Sequence, residues 1–364
     1  MKKVIAIVAG GDSSEHDVSL RSAAGIQSFM DTARYDCYIV EMKGKDWTVH
    51  YGDERCPVDR NDFSFIAHDG RHAFDFAYIT IHGTPGENGI LQGYFDLVGV
   101  PYSTSDVLVE ALTFNKFALN QFLRTCPELN ISDSLLLRKG EQLPAAQEIA
   151  NRLGLPCFVK PNAGGSSFGV TKAKTVDELY PAIARAMNES DEVMVERLMS
   201  GTEITCGAYK ARSGQIVVFP ITEVVTSEEF FDYDAKYNGK VNEITPARLT
   251  PATTERVKQM TQRLYTLLGC YGIIRVDYIL TGGMGREAIN LLEVNTTPGM
   301  TATSFIPPAG ACGRSGNEGR ARGNHRGPHG LSFQFAWPEA PADTTGRRPA
   351  RQTRPAPQSG GDGP

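Results

Sequence analysis

Ile289-Asn290-Leu291-Leu292-Glu293-Val294-Asn295-Thr296-Thr297-Pro298-Gly299-Met300-Thr301 is the stretch on which the fold turns. An apolar strand over residues 289–292 ends in a carboxylate, and a side-chain amide follows two residues later. Side chains alternate along an extended chain, so Glu293 and Asn295 point to one side. Hard oxygen donors at a strand end suit Mg²⁺, which leaves room for phosphate oxygens. The loop at 296–299 offers backbone N–H groups beside that position, and Gly299 lets a substrate come close to the main chain. Together these features indicate metal–nucleotide chemistry on a small polar substrate.

Upstream, Gly272-Ile273-Ile274-Arg275-Val276-Asp277-Tyr278-Ile279-Leu280 reads as the partner strand, apolar except for Arg275 and Asp277 on one common face. Two charges in such a strand cost on the order of several kcal/mol unless they are paired or meet a ligand. Taken alone, they read as an internal Arg275–Asp277 salt bridge. With Glu293 and Asn295 on an adjacent strand, they read as a metal site of Asp277, Glu293 and Asn295, with Arg275 facing an anionic substrate.

Outward from this pair, strand and helix signals alternate, which predicts an α/β fold. Strands are expected at 4–9, 36–42 and 75–81, with helices opening near Glu15 and over 89–97. A second unit should hold a helix over 113–124, a strand at 134–137, a helix over 145–153 and a strand at 157–161. Strands at 192–197, 203–209 and 215–220, a polar segment at 226–246 and a helix over 253–268 complete the third.

Several stretches carry chemistry. Lys160-Pro161-Asn162-Ala163-Gly164-Gly165-Ser166-Ser167-Phe168-Gly169 sets a lysine at a strand end before a loop of N–H groups and hydroxyls that suits phosphate. It is not a Walker A loop, because no Gly-Lys-Ser/Thr enters a helix. A lysine ending an apolar strand needs an anion or snorkels to solvent. Glu196 and Glu203 read either as solvated strand carboxylates or as contacts to adenine and ribose. Phe230-Phe231-Asp232-Tyr233-Asp234-Ala235-Lys236-Tyr237 reads as a surface loop or as a lid that excludes water. His82 follows an apolar strand, where α/β sheets place sites, although a lone histidine equally caps or packs. Glu15, after Gly10-Gly11, is also simply a carboxylate favoured at a helix N-terminus.

The ordered set of these stretches resembles the D-alanine–D-alanine ligases of the ATP-grasp superfamily over about residues 3–306. The pieces are Gly10-Gly11-x-Ser13-x-Glu15-x-x-Val18-Ser19, His82-Gly83-x-x-Gly86-Glu87-x-Gly89-x-x-Gln92-Gly93 and Lys160-Pro161 with Gly165-Ser166-Ser167-x-Gly169. Tyr233-x-x-Lys236-Tyr237, Arg275-Val276-Asp277 and Glu293-Val294-Asn295-Thr296-x-Pro298-Gly299-Met300-Thr301 complete them. The resemblance implies a three-subdomain ATP-grasp architecture: an N-terminal open α/β domain (1–104), a central subdomain (105–196) and a C-terminal subdomain (197–306). It implies ATP-dependent joining of two D-alanines through a D-alanyl phosphate, for peptidoglycan. The same superfamily includes ligases for other amino acids, and a chain lacking its C-terminal helix could bind nucleotide without turnover.

The resemblance also implies residue roles. Glu15 binds the ammonium of the first D-alanine in a set with Ser166 and Tyr237, and His82 lies near that subsite. Arg275 and the Gly299 N–H stabilise the oxyanion, and Ser304 and Tyr237 hold the second D-alanine. Lys116, Lys160, Ser167 and Lys236 serve the phosphates of ATP, and Glu196 and Glu203 the adenosine. Asp277, Glu293 and Asn295 hold Mg²⁺ or Mn²⁺, as two ions. The Lys236-Tyr237 pair resembles the D-alanine-specific members rather than those making D-alanyl-D-lactate. Asn88 stands where the family usually has an acid.

Composition sets bounds on the rest. The 364 residues suffice for two or three domains. A net charge of −5 argues against a nucleic-acid partner. No apolar run approaches the ~20 residues of a membrane span. Seven scattered cysteines, without a Cys-x-x-Cys pair, fit free thiols in a reducing cytoplasm. Family members are commonly dimeric, so a homodimer is the assembly the resemblance allows. Residues 307–364 differ in kind: eleven Gly, nine Pro and eight Arg stand with no Lys, Val or Ile and one Leu. Such a tail is expected to be disordered. Its abrupt start reads as a shifted reading frame, and nothing in it reads as the C-terminal helix of the family.

Overall fold

The computed structural model describes residues 2–165, 168–211, 213–226 and 241–299, with two short strands at 323–326 and 332–335. Three sheets follow one another along the chain. The first begins with β1 (Lys3–Gly10), whose side chains are buried from Ile5 onward. A strand covered on both faces needs such a continuous apolar run. β1 lies parallel between β2 (Tyr35–Lys43) and β7 (Phe76–Ile79). β3 (Asp46–Tyr51), β4 (Glu54–Asp59), β5 (Ser64–Ala67) and β6 (Gly70–Ala73) extend it as an antiparallel meander, in the order β6-β5-β4-β3-β2-β1-β7. The sequence reading left residues 46–73 without strands, yet their turns carry hairpin signals. α1 (His16–Phe29) and α2 (Ile90–Val98) belong to the same unit.

The expected helix over 113–124 is two helices. α3 (Val107–Phe114) ends at Asn115, whose backbone is extended, and α4 (Lys116–Leu123) starts immediately after it. The Asn115 side chain accepts from Ala118 N at 2.9 Å, so the break is a helix N-cap. Val109 on α3 and Leu119 and Leu123 on α4 are buried in the core of the third sheet.

The second sheet runs β10-β9-β11-β8, built from β8 (Ser134–Arg138), β9 (Cys157–Pro161), β10 (Thr171–Ala173) and β11 (Glu192–Arg197). α5 (Ala146–Leu153) and α6 (Leu179–Ala186) share its core. The third sheet runs β15-β14-β12-β16-β17, with β13 (Ile216–Val218) also on β12 (Thr202–Lys210). Its other members are β14 (Thr222–Thr226), β15 (Val241–Ile244), β16 (Ile273–Thr281) and β17 (Ala288–Asn295). Part of the segment read as merely polar, 226–246, is therefore strand β15, paired with β14. α7 (Pro251–Leu268) packs on this sheet. Its ends are encoded locally: the Thr250 side chain accepts from Thr253 N, Pro251 opens the helix, and Gly269 closes it at φ 73°.

Ile5, Ile7 and Tyr78 of the first sheet pack in one apolar cluster with Phe219 and Ile273 of the third region. That contact brings the carboxyl ends of β1 and β7 towards the strands bearing Arg275 and Glu293. In the tail, β18 (Gly323–Arg326) pairs antiparallel with β19 (Ser332–Phe335), so the expectation of disorder does not hold for these eight residues. Ser166, Ser167, Lys236, Tyr237, Ser304 and the expected lid at 230–237 lie outside the described residues.

Candidate active site

β16 and β17 are antiparallel neighbours, and their register sets Arg275 opposite Asn295 and Asp277 opposite Glu293. The four polar side chains therefore meet across one pair of strands. Arg275 forks onto Asp277, with Nε 2.9 Å from Oδ1 and Nη2 2.8 Å from Oδ2. Thr205 of β12 donates to Asp277 Oδ1 at 2.6 Å, and Asn295 Nδ2 donates to Oδ2 at 3.0 Å. The Arg275–Asp277 pair is thus formed, and Glu293 and Asn295 stand beside it. Burial would release the Arg275 proton more readily, but the Asp277 and Glu293 charges outweigh it and hold the guanidinium protonated above its usual value. Among the described residues no group of three or more His, Cys, Asp or Glu gathers in metal-ligand fashion. The donor set here is two carboxylates and one amide.

Lys116 reaches this corner from the start of α4. Its Nζ donates to Gly164 O at 2.7 Å and lies 3.8 Å from Glu293 Oε2. Asn162, fully buried, holds the helix start in place: its Oδ1 accepts from Phe117 N, and its carbonyl accepts from Lys116 N. Its Nδ2 donates to Asn115 Oδ1 and Glu192 Oε2. Sequence reasoning gave Asn115 and Asn162 no role; an asparagine just ahead of Lys116 was the available signal.

Lys160 on β9 finds its anion within the protein, with Nζ 2.6 Å from Glu196 Oε2 on β11. Both side chains are nearly inaccessible, at 8% and 3% exposure, so loss of either would strand the other charge in the interior. Glu203 stands on β12, in the sheet of Asp277 rather than the sheet of Lys160 and Glu196.

The N-terminal corner is made from loops. Glu15, buried, precedes α1, and its backbone N–H donates to Ser13 Oγ. Ser13 Oγ donates to His82 O at 2.7 Å, which joins the loop after β1 to the loop after β7. His82 is buried, with Nε2 3.3 Å from Ser22 Oγ. Gly165 packs on the Glu15 carboxylate so closely that a Cβ there would lie 2.3 Å from Oε2. Glu15 from the first sheet thus meets the Gly/Ser loop of the second.

Glu87, which sequence reasoning quoted but assigned no role, joins this corner. Its Oε2 accepts from Gly83 N at 2.7 Å. Burial pushes its carboxyl above the usual range, and the Glu15 charge adds to that. His82, the Gly83 N–H and the Thr297 hydroxyl act in the opposite sense. Gly299 is half-buried at the end of the loop that leaves β17.

Comparison with known proteins agrees with this arrangement. The family description "D-ala D-ala ligase N-terminus" matches residues 4–105, and "D-ala D-ala ligase C-terminus" matches 128–317. A D-alanine–D-alanine ligase of Phocaeicola vulgatus is 63% identical over 308 residues, which span 84% of this chain and 93% of that one. A Porphyromonas gingivalis relative of the same name is 52% identical over 308 residues, 84% and 92% of the two chains. Among solved structures, the VanG D-Ala:D-Ser ligase of Enterococcus faecalis superposes with TM-score 0.73 at 30% identity, covering 84% of this chain and 94% of its own. The ATP complex of the Bacillus anthracis D-alanine–D-alanine ligase does so with TM-score 0.67 at 27% identity, covering 86% and 92%.

Three sheets brought together at one connected polar set define an ATP-dependent ligase of the ATP-grasp fold. Within that class, the chain belongs to the D-alanine–D-alanine ligase family.

Proposed function

We propose that the chain joins two D-alanines to D-alanyl-D-alanine at the expense of ATP, through a D-alanyl phosphate, for peptidoglycan synthesis. One observation carries this reading: a continuous line of close contacts, polar from Gly164 onward, crosses all three sheets. Glu15 meets Gly165, Gly164 O binds Lys116, Lys116 approaches Glu293, and Glu293 lies 4.0 Å from Arg275, which is locked to Asp277. An ammonium acceptor, a backbone loop for phosphate and two cations for developing negative charge thus stand in sequence.

In the first step a carboxylate oxygen of one D-alanine attacks the γ-phosphorus, an O–P bond forms, and the bond to the β-phosphate oxygen breaks to release ADP. Two anions must approach, so fixed positive charge is needed. Lys116 and Lys160 are assigned to the phosphates, together with Ser167 and Lys236. Glu196 and Glu203 are assigned to the adenosine. Glu15 takes the ammonium of the first substrate, with His82 beside it and Ser166 and Tyr237 completing the set. In the second step the amine of the other D-alanine, held by Ser304 and Tyr237, attacks the acyl carbon. Negative charge then grows on the carbonyl oxygen, and Arg275 with the Gly299 N–H is assigned to stabilise it. Collapse expels phosphate, and the attacking nitrogen loses its proton.

The Asn295 amide lies 3.0 Å from Asp277 Oδ2 and 3.4 Å from Glu293 Oε1, and turned to present Oδ1 it would join two carboxylates as a hard oxygen donor, a set that fits Mg²⁺ or Mn²⁺. When bound, such ions would neutralise phosphate charge, and the family pattern favours two of them. The reading further divides the chain at 104, 196 and 306, sets the enzyme to work in the cytoplasm and allows a homodimer. No described helix is long and apolar enough to cross a membrane.

Phosphate release by the purified 364-residue chain with Mg-ATP tests the proposal. Release with D-alanine and not with L-alanine is expected. Nucleotide binding without release under any amino acid would overturn it.

A further inference from the structure

We propose that Glu110 is a positioning residue that sets the oxyanion loop, a reading that rests on the role given above to Gly299. Glu110 lies on α3, outside every stretch assigned to chemistry, and is completely buried. One carboxyl oxygen, Oε1, accepts from Ser105 N at 3.0 Å, and the other, Oε2, lies 2.6 Å from the hydroxyl of Thr296. Thr296 is the first residue after β17, three positions before Gly299. Ser105 in turn exchanges hydrogen bonds with Tyr271: its Oγ donates to the Tyr271 carbonyl at 3.2 Å and accepts from the Tyr271 N–H at 3.0 Å. Tyr271 leads into β16, the strand of Arg275. A single carboxyl therefore ties the entry of one charged strand to the exit of the other, and both proposed oxyanion donors lie within four residues of its anchor points.

Packing alone does not hold the loop on this side. Thr296, Thr297 and Pro298 line a cavity of about 20 Å³, with Thr80 and Thr104 among the opposing residues. That is room for about one water, so the loop faces polar space rather than an apolar floor. The charges acting on Glu110 most strongly come from Glu87 and Asp106 and share its sign. Burial pushes the Glu110 carboxyl above its usual range, and the bond from the Thr296 hydroxyl acts in the opposite sense. Both carboxyl oxygens accept, Oε1 from Ser105 N and Oε2 from the Thr296 hydroxyl. Glutamine keeps nearly the same shape, with Oε1 to accept from Ser105 N and Nε2 to donate to a Thr296 hydroxyl that can turn, and leucine fills the space but offers neither.

Steady-state kinetics of the full chain test this. Glu110→Leu should lower kcat for dipeptide formation about 10- to 100-fold, the range for a small misplacement of catalytic groups, while KM for ATP stays within about twofold. Glu110→Gln should restore kcat to within about threefold of the parent, which loss of mere bulk would not explain. Thr296→Val, a change of similar volume, should reproduce the loss and add little in combination with Glu110→Leu, and it serves equally well if the leucine variant does not fold. Parental kcat in Thr296→Val, or a glutamine variant as impaired as the leucine one, would overturn the assignment. A parent chain without D-alanine-dependent turnover would instead sink the proposed function, and this inference with it.

Discussion

Two sets of carboxyl groups, each with one buried and one half-buried member, meet in this molecule, and they are held by opposite chemistry. Asp277 and Glu293 face fixed positive charge: the Arg275 fork on the first and Lys116 Nζ near the second. Glu87 and Glu110 face N–H groups and hydroxyls, and burial pushes both above the usual carboxylate range. Depth alone therefore does not decide what an acid does. The first set, with cations already placed beside it, is arranged to meet a charged ligand. The second set is held by the backbone, at Gly83 N for Glu87 and Ser105 N for Glu110, and by the Thr296 hydroxyl, so it behaves as framework.

The sharpest way to break this contrast is to remove the cation from the first set. Arg275→Ala should reduce dipeptide formation by on the order of 10³-fold or more, because it removes a charged oxyanion donor, with nucleotide affinity largely unchanged. Coupled ADP assays and nucleotide titration would read the two effects separately. Near-normal turnover would show that Arg275 serves only to pair Asp277. A smaller effect is expected at the junction of the first two sheets. Gly165→Ala would thrust a methyl group to 2.3 Å from Glu15 Oε2 and displace that carboxylate. KM for D-alanine should rise about tenfold, equivalent to about 1.4 kcal/mol, with little change for ATP. An unaltered D-alanine KM would show that Glu15 is not where the first substrate is held.

These contrasts were unequally legible in the sequence. The facing of Arg275 and Asp277 against Glu293 and Asn295 follows from strand alternation and one antiparallel pairing, both visible as charges interrupting apolar runs. β1 was legible as a short continuous apolar run, and α7 was expected over 253–268, two residues short of the start that Thr250 and Pro251 encode. The meander over 46–73 was not, because its strands are half-exposed and mix charged with aromatic residues. Its two-residue connections, such as Gly52-Asp53, were the readable signal. Asn115 was taken as helix interior, although asparagine is a strong cap former, and so one helix became two. Glu110 lay ahead of the helix expected over 113–124, in no stretch that the sequence singled out. Only the tertiary fold brings it to Thr296, 186 positions away in sequence. Local pattern reveals residues that act along their own strand, and it is silent on a residue whose partner arrives from a distant part of the chain.

The smallest expected effect sharpens the framework side of the comparison. A carboxyl whose folded value is raised binds its proton more tightly in the native state than in the unfolded chain. As pH rises above the unfolded value of 4.5, the unfolded chain gives up that proton first and the native state loses relative stability. The loss continues until pH passes the raised folded value. Glu110→Gln removes this titration while keeping one donor and one acceptor. The melting temperature of the glutamine variant relative to the parent should therefore climb as pH rises above 4.5, by about 2–4 °C for each kcal/mol that the parent loses. Glu87 and Asp106 act on Glu110 in the same direction, so both are left unchanged in the comparison. A difference that stays flat across this range would mean that Glu110 ionises in the folded protein much as it does in the unfolded chain. The two sets of acids would then differ in their partners but not in their protonation, and the contrast drawn between them would rest on geometry alone.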